Sequence, residues 1–71
     1  SPNPTAGILN IYMDEGVITS IIVTDILGQE VRYQSINANA TMLDISDLPR
    51  GSYVVTVVGD MFVHSELIIM E

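Results

Sequence analysis

The residue types that support acid–base, nucleophilic or metal chemistry are sparse in this chain, which has one His, no Cys and nine Asp or Glu. His64 is followed directly by Ser65, and neighbours on a strand point to opposite faces, so the two make no nucleophile–base pair. Carboxylates sit beside turn residues at Asp14-Glu15, at Asp25, and at Asp44 with Asp47. In such places they accept backbone N–H groups and cap loops. None shows the regular oxygen spacing, with a Gly and a closing Glu, of an EF-hand calcium loop. Only a gathering of scattered carboxylates at one end of a fold would hold calcium. No Gly-rich turn leads from a strand into a helix, so nothing here cradles a phosphate. Asn39-Ala40-Thr41 matches the N-glycosylation sequon, whereas Pro4 disqualifies Asn3-Pro4-Thr5. These residues predict no enzyme, no cofactor and no metal site.

Composition narrows the partners. The chain has 71 residues, two Arg and no Lys, and a formal charge of -7. Such a charge repels phosphate backbones and removes the counterion release that drives non-specific nucleic-acid binding. The longest apolar stretches, such as Ser20 to Val23 and Tyr53 to Val58, fall far short of the ~20 residues of a spanning helix. Nucleic acid and a transmembrane segment are therefore not expected. With no initiator Met and no basic-then-apolar leader, the chain reads as a piece of a longer polypeptide. A domain this small buries only about 60% of its unfolded surface. With no disulfide to staple it, apolar packing must hold it together, and 48% hydrophobic residues supply the material.

The elements that would position these groups are strands. Residues 1–7 carry two of the three prolines and read as an extended linker entering a domain that spans 8–71. Short β-branched segments then recur, at Ile8 to Met13, Thr19 to Ile26, Glu30 to Ser35, Thr41 to Ile45, Ser52 to Val58 and Phe62 to Met70. Asp14-Glu15-Gly16 turns the first into the second, and Leu27-Gly28-Gln29 makes a tight hairpin with Gly28 at positive φ. Asn37-Ala38-Asn39 reads as a polar loop, Ser46 to Gly51 as the longer crossover, and Gly59-Asp60 as the last link. This pattern predicts an all-β fold, a small antiparallel Greek-key, immunoglobulin-like sandwich of about six to seven strands.

Alternation by two puts Leu9, Ile11 and Met13 on one face, and likewise Ile21 with Val23, Leu43 with Ile45, and Tyr53 with Val55 and Val57. Val31 and Tyr33 are expected to join this core. In the last strand Val63, Leu67 and Ile69 compete with Phe62, Ile68 and Met70 for the inside, and a one-residue slip exchanges the faces. Ile22, Val54, Val58 and either Ile68 or Ile69 are apolar on the opposite parity. They are either covered by strand ends and loops or form a docking surface.

Leu48-Pro49-Arg50-Gly51-Ser52-Tyr53 reads as a tyrosine corner. A Tyr at the start of a strand turns its hydroxyl back to the preceding crossover, Pro49 presets a turn, Gly51 adopts backbone costly for other residues, and Leu48 plugs the core.

Three blocks carry a resemblance to a known family: Pro2-Asn3-Pro4-Thr5 with Gly7, Leu9 and Ile11; Val23-Thr24-Asp25-Ile26-Leu27-Gly28-Gln29; and Leu43 to Tyr53. In order and spacing the chain resembles the type A C-terminal sorting domain of the bacterial type IX secretion system. The resemblance implies a compact antiparallel sandwich that acts as a non-catalytic address label on a larger secreted protein. It implies an outer-membrane translocon and a sortase as partners, together with an upstream cargo domain of the same polypeptide. It also implies transit through the periplasm, followed by surface anchoring or release. Pro2, Asn3, Pro4, Gly7, Asp25, Gly28, Gln29, Leu48, Pro49, Gly51 and Tyr53 are its motif residues. Family members usually carry Lys or Arg in the final strand, whereas this one has His64-Ser65-Glu66 and Glu71. Recognition is therefore expected from backbone pairing and the side chains of Leu67, Ile68, Ile69, Met70 and Glu71, on an edge strand open to β-augmentation. The competing reading is a retained immunoglobulin-like accessory or adhesion module that packs on a catalytic domain or binds carbohydrate. A sugar platform needs exposed rings, and the chain offers only Tyr12, Tyr33, Tyr53 and Phe62.

Overall fold

Backbone pairing begins where the extended and β-branched residues begin. The computed structural model describes residues 3–71 and contains β1 (Asn3–Thr5), β2 (Ile8–Tyr12), β3 (Ile18–Asp25), β4 (Glu30–Ala38), β5 (Ala40–Asp44), β6 (Gly51–Gly59) and β7 (Val63–Met70). Ser1 and the motif residue Pro2 lie outside the described residues, as do the side chains of Asn3, Pro4 and Thr5. One sheet runs β1-β7-β6-β3-β4 and the other pairs β2 with β5. Every pairing is antiparallel except that of β1 with β7. In immunoglobulin terms β7, β6, β3 and β4 stand where G, F, C and C′ stand, and β2 and β5 take the places of B and E. Asn3–Thr5, within the segment expected to be a linker, forms a short strand on the sheet edge, a position in a sheet where Pro4 is tolerated.

The core is the apolar row of each strand meeting between the sheets. Ile21, Val23, Leu43, Ile45, Tyr53, Val55 and Val57 are buried as alternation predicts, and Leu9, Ile11, Met13, Val31 and Leu48 pack partly buried against them. The tie in β7 resolves to the even residues. Pairing Tyr53 with Ile68 and Gly51 with Met70 puts those two side chains on the inner face, and both are buried.

Two irregularities defeat simple alternation. Between Ile18 and Ser20 the register shifts against both neighbouring strands, with the extra residue in β3 where it pairs with β6 and in β4 where β4 pairs with β3. The bulge reverses parity, so the even-numbered Ile18 is fully buried although the periodic reading passes over it. A second shift leaves Val31 unpaired between Arg32 and Glu30. Beyond it Arg32 and Gln34 lie across from Val23 and Ile21, on the inward face, and Tyr33 lies across from Ile22 on the outer one. Tyr33 is 56% exposed, which corrects its expected place in the core. The loop expected over Asn37-Ala38-Asn39 is also shorter. β4 runs through Ala38, and Asn39 alone carries the chain from one sheet into the other.

Ile21→Ala is expected to cost about 2–5 kcal/mol in urea unfolding, most of the stability of a domain that has on the order of 5 kcal/mol in total. Ile22→Ala, on the outer face, is expected to cost about 1 kcal/mol. Equal losses would contradict this assignment of faces.

Candidate recognition surface at one pole of the sandwich

Among the described residues, the motif residues Gly7, Asp25, Gly28, Gln29, Leu48, Pro49 and Tyr53 work as local braces, and the register brings them to one end of the molecule. The Tyr53 hydroxyl donates to the Pro49 carbonyl oxygen at 2.5 Å. That bond pins the crossover entering β6, and Leu48 tucks against the core beside it. Its amide closes the turn by donating to the Ile45 carbonyl at 3.0 Å. Asp25 organises the β3–β4 hairpin: Oδ1 accepts the Leu27 and Gln29 amides at 2.9 and 3.0 Å. The Asp25 carbonyl accepts the Gly28 amide at 3.0 Å, with Gly28 at φ 83°. The spacing Asp25, Gly28, Gln29 is thus what a carboxylate-capped tight turn requires. Gly7 lies between β1 and β2 at φ 111°, and a Cβ there would meet the Ser46 Cα at 2.5 Å. Its carbonyl accepts the Ile45 amide at 2.7 Å, tying the β1–β2 connection to the crossover.

These braces converge because Asp25 sits opposite Tyr53, Gly51 opposite Met70, and Met70 opposite Thr5. The same pole presents Ile26 and Leu27, which are 75% and 86% exposed at the hairpin tip. It also holds Arg50 and Glu71, both exposed.

The last strand differs from the expectation of an open edge. Asn3, Pro4 and Thr5 of β1 pair with Ile68, Ile69 and Met70, so the C-terminal half of β7 is covered on both sides. Among the described residues the β7 edge is open only over Val63–Leu67. Ile68 and Met70 face the core, so only Leu67 and Ile69 of the apolar quartet point outward. Leu67, 44% exposed, lies across from Val54, and Ile69 lies between Ser52 and Pro4. With Ile22 and Tyr33 on the same outer face, these side chains make a broken apolar band over the five-stranded sheet. Tyr33 belongs to this band only because of the bulge at Val31, and sequence reasoning placed it inside.

Polar groups hold the remaining turns and seams. Asp44 Oδ1 accepts the Ser46 hydroxyl at 2.7 Å and its amide at 3.0 Å. These bonds, with a smaller contribution from Arg32, hold the Asp44 carboxyl below its ordinary value of 3.8. Asp47 instead takes the Arg32 guanidinium through both carboxylate oxygens at 2.9 and 2.7 Å. Asp60, read in the sequence only as part of the last link, accepts the Val17 amide at 2.9 Å. His64 and Ser65 do face apart as expected: His64 Nε2 meets Glu66 Oε1 at 3.1 Å, and Ser65 bonds Thr56 at 2.9 Å. Among the described residues no three His, Asp or Glu gather where they could hold a metal ion. The rings are dispersed, with Tyr53 in the core and Tyr12 and Tyr33 exposed on different sheets.

The chain is therefore an immunoglobulin-like module with turns braced by its motif residues and with exposed apolar side chains at this pole, on the outer face of the five-stranded sheet, on the β2–β5 sheet at Ile8, Tyr12 and Met42, and at Met61 in the β6–β7 turn. A family model described as the secretion system C-terminal sorting domain matches residues 1–71, the whole chain. The chain belongs to this family, the C-terminal sorting signals of type IX secretion. Membership implies attachment to a cargo, engagement of the secretion machinery, and export to the cell surface or the extracellular space. No significant match is found among curated proteins or among solved structures.

In one unfolding series, Tyr53→Phe, which removes only the hydroxyl bound to Pro49, is expected to cost about 1 kcal/mol. Gly7→Ala combines left-handed backbone with a backbone collision and is expected to cost more than about 2 kcal/mol. Gly28→Ala has the same backbone demand but open space around it, and is expected to cost about 1 kcal/mol. A Gly7→Ala protein as stable as Gly28→Ala would contradict the close packing of Gly7 on Ser46.

Proposed function

We propose that this domain is a non-catalytic address label that directs a larger protein, by way of the periplasm, through the outer-membrane type IX translocon. A cell-surface sortase then removes the domain, and the cargo is anchored or released. The domain makes and breaks no covalent bond and uses no cofactor. Family membership over the whole chain supports the sorting role. Recognition by the translocon is assigned to the last strand, with Leu67, Ile69 and Glu71 as the groups presented. Ile68 and Met70 anchor that strand to the core. The remaining described motif residues, Gly7, Asp25, Gly28, Gln29, Leu48, Pro49, Gly51 and Tyr53, set the shape of the pole, with the backbone of Asn3 and Pro4 paired to β7 beside it.

The observation that carries this assignment is the outward pair Leu67 and Ile69, continuous with Val54 on the same face, in a strand without Lys or Arg. Where positive charge is missing, burial of apolar area is the available source of affinity.

The test is a reporter fused to the domain in a cell with the secretion system. The unsubstituted fusion is expected at the surface or in the medium without its terminal domain. A Leu67→Asp, Ile69→Asp double variant, shown to be folded by circular dichroism, is expected to accumulate in the periplasm. Export of the variant at the unsubstituted level would refute the recognition assignment. Exported reporter still carrying the domain would refute its removal.

A further inference from the structure

The two long sides of the sandwich are closed differently. On the β4/β5 side the chain itself steps between sheets at Asn39. Arg32 of β4 reaches across that side to the Asp44 carbonyl at 3.3 Å and the Asp47 carboxylate at 2.7 Å. Behind this seal Leu43 and Ile45 have no exposed surface. On the other side β2 has β5 along one edge and, among the described residues, no strand along the other. Its inward side chains Leu9 and Ile11, and Met13 just past its end, stay only partly buried. A groove of about 330 Å³ runs along them, with Val55, Val57 and Ile68 beneath and His64 and Glu66 in its wall.

The β2 backbone shows what this groove is shaped for. The Gly7 carbonyl accepts from the Ile45 amide and the Met13 amide donates to the Asn39 carbonyl, so the odd residues turn their polar groups towards β5. Alternation then sends the N–H and C=O groups of Ile8, Asn10 and Tyr12 to the open edge. In an immunoglobulin sandwich with sheet order A-B-E-D, strand A lies beside B. Here β1 pairs with β7 instead, and the place beside β2 is vacant among the described residues.

We infer that the open edge of β2 is a strand-addition site. Its occupant is an extended segment of a partner protein, with alternating apolar side chains to fill the groove and Lys or Arg at its ends. The added backbone pairs with Ile8, Asn10 and Tyr12, and its inward side chains cover Leu9, Ile11 and Val57. The basic ends follow from charge: Glu66 is in the wall, Asp14 and Glu15 follow β2, and the chain carries -7 overall. Its two Arg lie elsewhere, Arg32 on Asp47 and Arg50 in the crossover. The same charge opposes a second copy as occupant, because edge-to-edge pairing would bring two strongly acidic domains together. The site is distinct from the outward face of β7 and goes beyond the sorting role.

The probe is a synthetic peptide of about seven residues, valine alternating with threonine and lysine at both ends. With peptide bound, amide exchange at Ile8, Asn10 and Tyr12 is expected to slow by at least about tenfold. Asn10→Pro removes one outward N–H at an edge position and is expected to weaken binding by about tenfold or more. The same peptide ended in glutamate is expected to bind about tenfold more weakly than the lysine form. Protection at β4 or β7 in place of β2, no binding, or equal affinity for the two peptides would overturn the proposal. So would a β2-paired dimer in sedimentation. The exchange pattern of the unsubstituted protein decides the matter even if Asn10→Pro fails to fold.

Discussion

The inward row of β6, Tyr53, Val55 and Val57, meets Leu43 and Ile45 of the facing sheet, with Ile21 and Val23 of β3 alongside. In a 71-residue chain without cysteine this layer has no covalent support, so every other feature depends on it. It seats Tyr53 so that the hydroxyl reaches Pro49, and that bond shapes the pole where the motif blocks meet. It also aligns β7, because pairing with β6 decides which of its side chains turn inward.

The second constraint is the unequal width of the sheets. Five strands face two, so the inner surface of the wider sheet is not fully covered. β7 reflects this along its length: Ile68 and Met70 are buried where cover exists, while His64 and Glu66, of the same parity, stand where it ends. The β4 edge is managed in another way. Arg32 points inward from an edge strand and is held by Asp47, a charged guard against edge-to-edge pairing that also seals the flank. At surface exposure that ion pair adds little stability, and its value lies in closing one side.

Much of this was legible in the residues because the strands with strict alternation, β3 from Ile21 onward, β5 and β6, declare their faces directly. The tyrosine corner and the Asp25 hairpin were legible for a different reason: each is a local arrangement whose partners lie within a few residues. What the sequence hid was non-local. Ile18 was passed over and Tyr33 misplaced because single-residue bulges, set by the pairing of β3 with β6 and with β4, reverse parity without a mark in the segments themselves. The faces of β7 were undetermined because both parities are apolar, and only pairing with β6 breaks the tie. β1 was invisible as a strand because three residues with a proline gain regular structure only from a partner nearly the whole chain away. The covered end of β7 follows from that same pairing.

The central claim is that the folded sandwich itself is the signal. The most direct measurement places residues 1–71 at the C-terminus of a reporter otherwise confined to the periplasm and determines the fraction outside the cell, beside the same fusion carrying Ile21→Asp to abolish the core. Export of the intact fusion with retention of the core-disrupted one is the predicted result. Retention of both would contradict the sorting role, and equal export of both would contradict recognition of the fold.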